Sequence, residues 1–327
     1  MAMVGQDVRQ ARRRAAVLGH PVRHSLSPVL HRAAYDRLEL EGWAYGLQDV
    51  TAEQLPDAVA GLDASWAGLS LTMPLKQAVL PLLDVVDPLA EVTGAVNTLV
   101  VQPGRAGTAG PLVGFNTDVA GIVAALRETA RAAGHVDWRP RSAAVLGARA
   151  TASSTLAALG ELGLASTTLI ARNVSGPGNA LLAAHRMGVA AAHRAWSSPE
   201  AGADALLRAG APDVVVSTVP AGAADELAAA LADRLDGAAL AGSVLLDVVY
   251  DPWPTPLARV WESAGGTVAP GWVMLLHQAV AQVQLFTGRK PDVEVMRAAL
   301  VAELAARAAG AEVPDSPPVL SVTSSRA

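Results

Sequence analysis

Hydroxyl, amide, ammonium and carboxylate groups recur at the ends of short apolar runs in the first third of the chain. In Gly19-His20-Pro21-Val22-Arg23-His24-Ser25-Leu26-Ser27-Pro28 two hydroxyls, Ser25 and Ser27, stand just ahead of a helical pattern. Hydroxyls there donate well to a carboxylate that also feels the helix dipole. Taken alone, Ser27 reads equally as an ordinary helix N-cap. Ser70-Leu71-Thr72-Met73-Pro74-Leu75-Lys76 closes an apolar run and opens a helix carrying one lysine. Gly94-Ala95-Val96-Asn97-Thr98 and Gly114-Phe115-Asn116-Thr117-Asp118 put an amide and a carboxylate in loops. A single lysine or aspartate is usually solvated surface, but four polar loops without charge clusters around them suit a small polar substrate.

A second kind of chemistry is written further on. Ala143-Ala144-Val145-Leu146-Gly147 is an apolar run ending in glycine, followed at once by a helical pattern. Dinucleotide pyrophosphate binds at such a turn, because backbone N–H groups and the helix N-terminus face the anion. The fingerprint is incomplete: Gly147-Ala148-Arg149-Ala150-Thr151-Ala152 keeps the first glycine and the last small residue but has Arg149 where a second glycine belongs. A plain strand-to-helix turn would read the same way. Arg172-Asn173 closes the next apolar run, 25 residues after Gly147. Arginine there suits the 2′-phosphate of NADP, where an acidic residue would suit the ribose of NAD, although a solvent-facing arginine is also compatible. Arg149 either adds a phosphate contact or hinders entry.

The elements that must carry these residues alternate throughout. Strands are expected over 15–19, 43–50 and 68–71, helices over 27–40, 52–62, 75–86 and 119–133, an extended run over 95–102 and a turn over 103–111. The next stretch is more regular. Strands 143–147, 167–171, 189–192, 213–219 and 244–250 interleave with helices 152–162, 179–187, 201–209 and 224–235, then helices 257–264 and 272–286 follow. Strand–helix alternation implies a parallel, doubly wound sheet. The expected architecture is α/β: an N-terminal α/β substrate lobe over 1–117, completed by 271–310, and a Rossmann-like dinucleotide-binding lobe over 118–270. The Pro- and Ser-rich end, 311–327, is expected to be a disordered tail.

Composition removes several classes. The 327 residues hold 25 Lys plus Arg against 30 Asp plus Glu, a net charge of −5, which disfavours nucleic acid as a partner. With no cysteine, disulfides, Cys-ligated zinc, iron–sulfur clusters and a thiol nucleophile are excluded. His20, His24 and His31 lie near the serines without a second ligand type, so no metal is assigned. No apolar stretch reaches the ~20 residues of a spanning helix. Arg9, Arg12, Arg13 and Arg14 read as a solvated tail without the apolar stretch of a secretory signal. A cytoplasmic protein with no membrane partner is expected, monomeric or homodimeric. The seven Trp residues show no stacking pattern with basic residues.

These motifs together resemble the shikimate dehydrogenase family, from about Val17 to Gly288. The family's H-S-x-S-P is intact at His24 to Pro28. Its N-V-T-x-P-x-K keeps Thr72, Pro74 and Lys76, with Ser70 in place of asparagine. G-A-V-N-T and G-x-N-T-D are complete through Asn97 and Asp118. Asp247-Val248-Val249-Tyr250-Asp251-Pro252, Thr255-Pro256-Leu257, Gly271 to Met274, Gln278-Ala279 and Thr287-Gly288 follow in order.

The resemblance implies NADPH-dependent interconversion of 3-dehydroshikimate and shikimate, in the pathway to aromatic amino acids. It implies that Ser25 and Ser27 hold the substrate carboxylate. Ser70, Thr72, Asn97, Thr117, Asp118 and Gln278 would meet the rest of the ring, with Tyr250 lining the site. Lys76 and Asp118 would be the catalytic pair. Gly147, Ala148, Arg149, Ala150, Thr151, Ala171, Arg172, Asn173, Val248 and Gly271 would meet the cofactor. The residue types suit the reaction, since hydride reduction of a ketone creates an alkoxide that a cation stabilises and a proton donor quenches. Departures from the family fall mainly on the cofactor side, at Arg149-Ala150, Ala171-Arg172-Asn173 and Ser217 to Pro220. The competing readings are a relative shifted towards quinate, an aminated analogue or NAD, and a non-catalytic carboxylate-binding module whose Arg149 blocks the dinucleotide. Arg172 weighs against NAD, and Lys76 kept with Asp118 weighs against the module.

Overall fold

The structure, a computed structural model, describes residues 11–105, 107–176, 178–208, 210–311 and 319–320. The chain divides into two units. The first takes residues 1–91, 95–117 and 279–327, and the second takes 92–94 and 118–278.

The first unit is built on a six-stranded mixed sheet in the order β2-β1-β3-β5-β6-β4. Its strands are β1 (Arg13–Gly19), β2 (Trp43–Asp49), β3 (Trp66–Leu71), β4 (Val85–Val86), β5 (Thr98–Pro103) and β6 (Ala109–Phe115). Strand β1 runs parallel to β2 and β3, whereas β5 runs antiparallel to both β3 and β6. All six residues of β3 are buried, the pattern of a central strand covered on both faces. Helices α1 (Ser27–Arg37), α2 (Leu55–Ala60), α3 (Leu75–Ala78) and α4 (Pro88–Thr93) follow the strands. Pro28 sits in the first turn of α1, where its missing N–H costs nothing.

Three expectations in this unit need correction. The helix expected over 75–86 stops at Ala78, because Pro81 cannot donate to a continuing helix. A 3-10 turn over Leu80–Leu82 and the short β4 take its place. Part of the turn expected over 103–111 is already strand β6, which pairs along most of its length with β5. Arg13 and Arg14 are not a solvated tail. Both belong to β1, with Arg13 stacked 5.7 Å from the Trp43 ring and Arg14 4.7 Å from the Trp66 ring. Arg9 lies outside the described residues.

The second unit carries a fully parallel six-stranded sheet in the order β12-β11-β10-β7-β8-β9. Its strands are β7 (Ala143–Leu146), β8 (Ser166–Ala171), β9 (Ala190–Ala195), β10 (Val214–Ser217), β11 (Val244–Asp247) and β12 (Thr267–Pro270). Helices α5 (Asp118–Ala132), α6 (Ala150–Glu161), α7 (Ala180–Met187), α8 (Pro199–Leu207), α9 (Asp225–Ala232) and α10 (Pro256–Ser263) alternate with them. Direction along the sheet reverses between β7 and β10, the topological switch point at which doubly wound sheets take their ligands. Leu- and Ala-rich strands and helices bury a core around Leu146, Val215, Leu245 and Trp261. Val92–Gly94 join this unit through Arg186, whose Nε donates to the Val92 carbonyl at 3.0 Å.

Helix α11 (Gly271–Thr287) gives its first half to the second unit and the rest to the first. Helix α12 (Val293–Ala308) then packs on α1. Most of 311–327 lies outside the described residues. Val319 and Leu320 are the exception, both buried in the core of the first unit. The Gln48 amide reads their backbone: Oε1 accepts from Val319 N at 2.8 Å and Leu320 N at 2.6 Å, and Nε2 donates to Leu320 O at 3.1 Å.

Candidate active site

Strand register decides which motifs meet in the first unit. Leu18 pairs with Leu71, Ser70 with Thr98, and Thr98 with Phe115. The chain therefore leaves β1, β3 and β6, and enters β5, at one end of the sheet. Those four junctions carry the four polar motifs. Backbone hydrogen bonds stitch them together: Thr72 N donates to Leu18 O at 2.9 Å, and Leu71 N to Asn97 O at 2.8 Å. Asn97 N donates to Phe115 O at 3.1 Å, and Val96 N to Lys76 O at 2.8 Å. Lys76 itself is half-buried, on the one turn of helix left by Pro81.

The serine loop is held from two sides. Ser25 Oγ accepts from Ser27 N at 3.3 Å, and Arg307 of α12 donates from Nη1 to the His24 carbonyl at 2.8 Å. Ser27 does not cap its helix, since Leu26 is the N-cap and no side chain caps the turn. Ser27 instead opposes the rise that burial causes in the pKa of Tyr45.

Beneath these loops lies a polar cluster buried almost completely. Tyr45 donates to Ser70 Oγ at 2.6 Å, and Ser70 donates to Gln282 Oε1 at 2.7 Å. Gln282 Nε2 donates to Thr98 Oγ1 at 3.0 Å and to the Asn97 carbonyl at 3.2 Å. Thr98 donates to Asn97 Oδ1 at 2.8 Å, and that oxygen also accepts from Thr117 N at 2.8 Å. Asn97 Nδ2 then donates to Thr117 Oγ1 at 2.8 Å. Asn97, Ser70 and Thr117 thus stand in one network, as the sequence motifs place them in neighbouring loops.

His31 stacks on Tyr45 with ring centroids 3.8 Å apart and bonds Gln282 Oε1 through Nε2 at 3.3 Å. Complete burial drives its pKa down to about 3, against a smaller upward pull from Gln282. The imidazole is accordingly neutral, with its proton on Nε2 to suit an acceptor oxygen. The same burial raises the pKa values of Tyr35 and Tyr45.

In the second unit, Asp118 opens α5 and is buried. One turn on, a Cβ at Gly121 would stand 3.0 Å from the Gln278 side chain and 2.8 Å from the Met274 carbonyl, so α5 and α11 touch beside Asp118. Gln278 is buried, and its Nε2 donates to the Leu275 carbonyl at 2.9 Å. Asp247 accepts from Thr255 Oγ1 at 2.7 Å and from Val249 N at 3.3 Å, which anchors the loop bearing Tyr250. Burial raises the pKa of Asp247, with the Thr255 hydrogen bond opposing.

The residues expected around a dinucleotide gather at the switch point. Gly147 has φ +109°, and a Cβ there would lie 2.5 Å from Thr218 Oγ1, at the end of β10. Arg149 is the N-cap of α6 but its side chain does not cap the helix. Its guanidinium instead reaches the loop after β8, with Nη1 3.9 Å from where a Gly176 Cβ would stand. Arg172 and Asn173 begin that loop and are exposed, and Asn173 Oδ1 accepts from Ser175 N and Oγ, both at 2.6 Å. The Ala171 carbonyl is held by Trp196 N at 3.1 Å, and that of Ala148 by Ala180 N at 2.9 Å. Gly271 sits against the Val248 carbonyl so closely that any Cβ would collide with it. Among the described residues no group of three or more His, Cys, Asp or Glu side chains could hold a metal ion, and no helix is long and apolar enough to cross a membrane.

A profile for the shikimate dehydrogenase substrate binding domain matches residues 17–99, and one for the shikimate 5′-dehydrogenase C-terminal domain matches 271–301. A curated protein of Citrifermentans bemidjiense, named shikimate dehydrogenase (NADP(+)), is 38% identical over 294 residues, covering 89% of this chain and 95% of its own length. The chain belongs to the shikimate dehydrogenase family. The crystal structure of Mycobacterium tuberculosis shikimate dehydrogenase is similar at 41% identity and TM-score 0.72, covering 89% of this chain and 99% of that one. The Thermus thermophilus shikimate 5-dehydrogenase, solved in complex with NADP(H) and shikimate, follows at 32% identity and TM-score 0.67, covering 89% and 99%. The two-unit α/β architecture with its doubly wound sheet is the fold of these shikimate dehydrogenases.

The sequence motifs did not reveal Tyr45 or Gln282, and they gave no role to Thr98 or His31. The signal for Gln282 was an amide four residues after Gln278 in a mostly apolar helix. A buried amide has to find partners, so the pair marked one helix face. Nothing in the residue pattern singled out Tyr45, which looks like any strand aromatic.

Proposed function

We propose that this chain reversibly reduces 3-dehydroshikimate to shikimate with NADPH. Agreement along nearly the whole chain with relatives named shikimate dehydrogenase (NADP(+)) carries the reading. The four polar junctions at one end of the first sheet support it. Ser25 and Ser27 hold the substrate carboxylate, while Thr72, Asn97, Thr117 and Gln278 meet ring hydroxyls. Ser70 presents a lone pair rather than a proton, since its own proton goes to Gln282. Tyr250 lines the site.

The second unit fits a dinucleotide. Gly147 leaves no side chain over the turn, and the N-terminus of α6 follows it, the place where a pyrophosphate binds in such sheets. Ala148, Ala150 and Thr151 line that turn, with Ala171, Val248 and Gly271 beside it. Arg172, with Asn173 and the guanidinium of Arg149 swung towards the same loop, suits the extra phosphate of NADP. When bound, the nicotinamide supplies hydride to the ketone carbon. The ammonium of Lys76 is assigned to stabilise the alkoxide and give it a proton, with Asp118 as the other member of the catalytic pair. In the oxidative direction the neutral amine of Lys76 takes the hydroxyl proton.

The deciding assay is NADPH oxidation by the purified protein with 3-dehydroshikimate, set beside NADH and, in reverse, quinate. Saturable turnover with NADPH and 3-dehydroshikimate is expected. Turnover with quinate alone, or none with any substrate, overturns the reading. The chain is further proposed to act in the cytoplasm, as a monomer or homodimer, with no nucleic acid or membrane partner.

A further inference from the structure

Gln282 is buried to 1% exposure in the second half of α11, below the residues assigned to substrate. A neutral amide has two acceptor lone pairs on oxygen and two N–H donors. All four are used. Oε1 accepts from Ser70 Oγ and His31 Nε2, and Nε2 donates to Thr98 Oγ1 and the Asn97 carbonyl. A side chain so committed has nothing left for a ligand, so any part it plays passes through its partners.

The directions of these bonds are not interchangeable. With Thr98 Oγ1 receiving from the amide, its own proton goes to Asn97 Oδ1. That bond, with the one from Thr117 N, fixes which end of the Asn97 side chain is oxygen, and hence where its N–H groups point. On the other side, Gln282 Oε1 draws the Ser70 proton, leaving Ser70 to accept from Tyr45. One amide therefore orders a chain of hydrogen bonds from Tyr45, through Ser70 and Thr98, to Asn97 at the proposed ring-hydroxyl end.

We infer that Gln282 is a positioning residue for substrate, setting the Ser70 hydroxyl directly and, through Thr98, the orientation in which Asn97 meets the ligand. The inference rests on the proposed shikimate chemistry. Asn97 would hold the ring equally before and during reduction, so loosening it removes uniform binding and raises KM rather than lowering kcat.

Two variants test it: Gln282→Met, which keeps volume and removes all four bonds, and Thr98→Val, which keeps shape and cuts the link to Asn97. In both, KM for shikimate should rise at least about tenfold while kcat stays within about threefold. KM for NADP should not move, and calorimetry should show the same loss of shikimate affinity without cofactor. A packing role alone would lower thermal stability and leave KM unchanged. Wild-type KM in a folded Gln282→Met overturns the inference, and if that variant does not fold, wild-type KM in Thr98→Val does so. A wild-type protein that neither binds nor oxidises shikimate overturns the functional reading itself, which normal turnover with unaffected variants would not.

Discussion

Acid should unfold this protein partly through a single imidazole. His31 has no exposure to solvent and is pressed face to face on Tyr45, and burial takes its pKa down to about 3 from 6.5. The unfolded chain therefore takes up a proton below pH 6.5 that the folded chain refuses until about pH 3. Within that window the unfolded state holds more protons, so stability falls as pH falls. Starting at the unfolded pKa, where the imidazole is already half protonated, moving from about pH 6.5 to about 4.5 favours unfolding by about fiftyfold and should cost about 2 kcal/mol through His31 alone. His31→Gln removes the titration and keeps an N–H for Gln282. Its intrinsic cost is the same at every pH and drops out of the comparison. So does the effect of Asp247, whose raised pKa works in the opposite sense, with stability falling as pH rises from the acid range. The assay is urea unfolding of both proteins at several pH values between these limits. It should follow the transition that the substitution shifts, because a two-unit protein need not unfold in one step. Parallel lines of stability against pH for the two proteins would refute the reasoning.

Three further outcomes follow from the proposed site. Lys76→Ala should lower kcat by about a thousandfold with little change in shikimate affinity, and near-normal kcat would remove Lys76 from the mechanism. Arg172→Ala should weaken NADPH binding about tenfold or more and leave NADH binding unchanged, read by fluorescence titration, and an equal loss for both cofactors would place Arg172 outside the phosphate site. Gly147→Ala combines a φ of +109° with a collision at Thr218, so it should destabilise the second unit by at least about 1 kcal/mol and weaken NADPH binding. Thermal melting with and without NADPH separates the two effects.

The second unit was the more legible in the sequence, for a physical reason. Fully buried parallel strands such as Val214–Ser217 and Val244–Asp247 are unbroken apolar runs, and glycine at 147 marks the turn that only it can make. The first unit mixes strand directions and half-buried faces, so its periodicity is weaker. Strand β6 hid behind Pro103 and Pro111, and the helix over 75–86 looked continuous because apolar spacing persists past Pro81. The motifs located the polar junctions, since residue type and spacing are local. They were silent on Tyr45 and Gln282 and on what Thr98 does, because a network reaching across 185 residues between Asn97 and Gln282 exists only after folding. The guanidinium–indole stacks at Arg13 and Arg14 were invisible for the same cause.

The second unit is one long insertion apart from Val92–Gly94, and its two main seams differ in kind. One falls at Thr117 and Asp118, in a loop entering a helix. The other falls between Gln278 and Ala279, inside a continuous helix. A lineage trading one redox currency for another would need only a single contiguous gene cassette. The helical seam is the demanding splice: losing or gaining one residue there would rotate everything downstream by about 100°. Chimeras should therefore tolerate ragged joins at the first seam and insist on in-phase joins at the second.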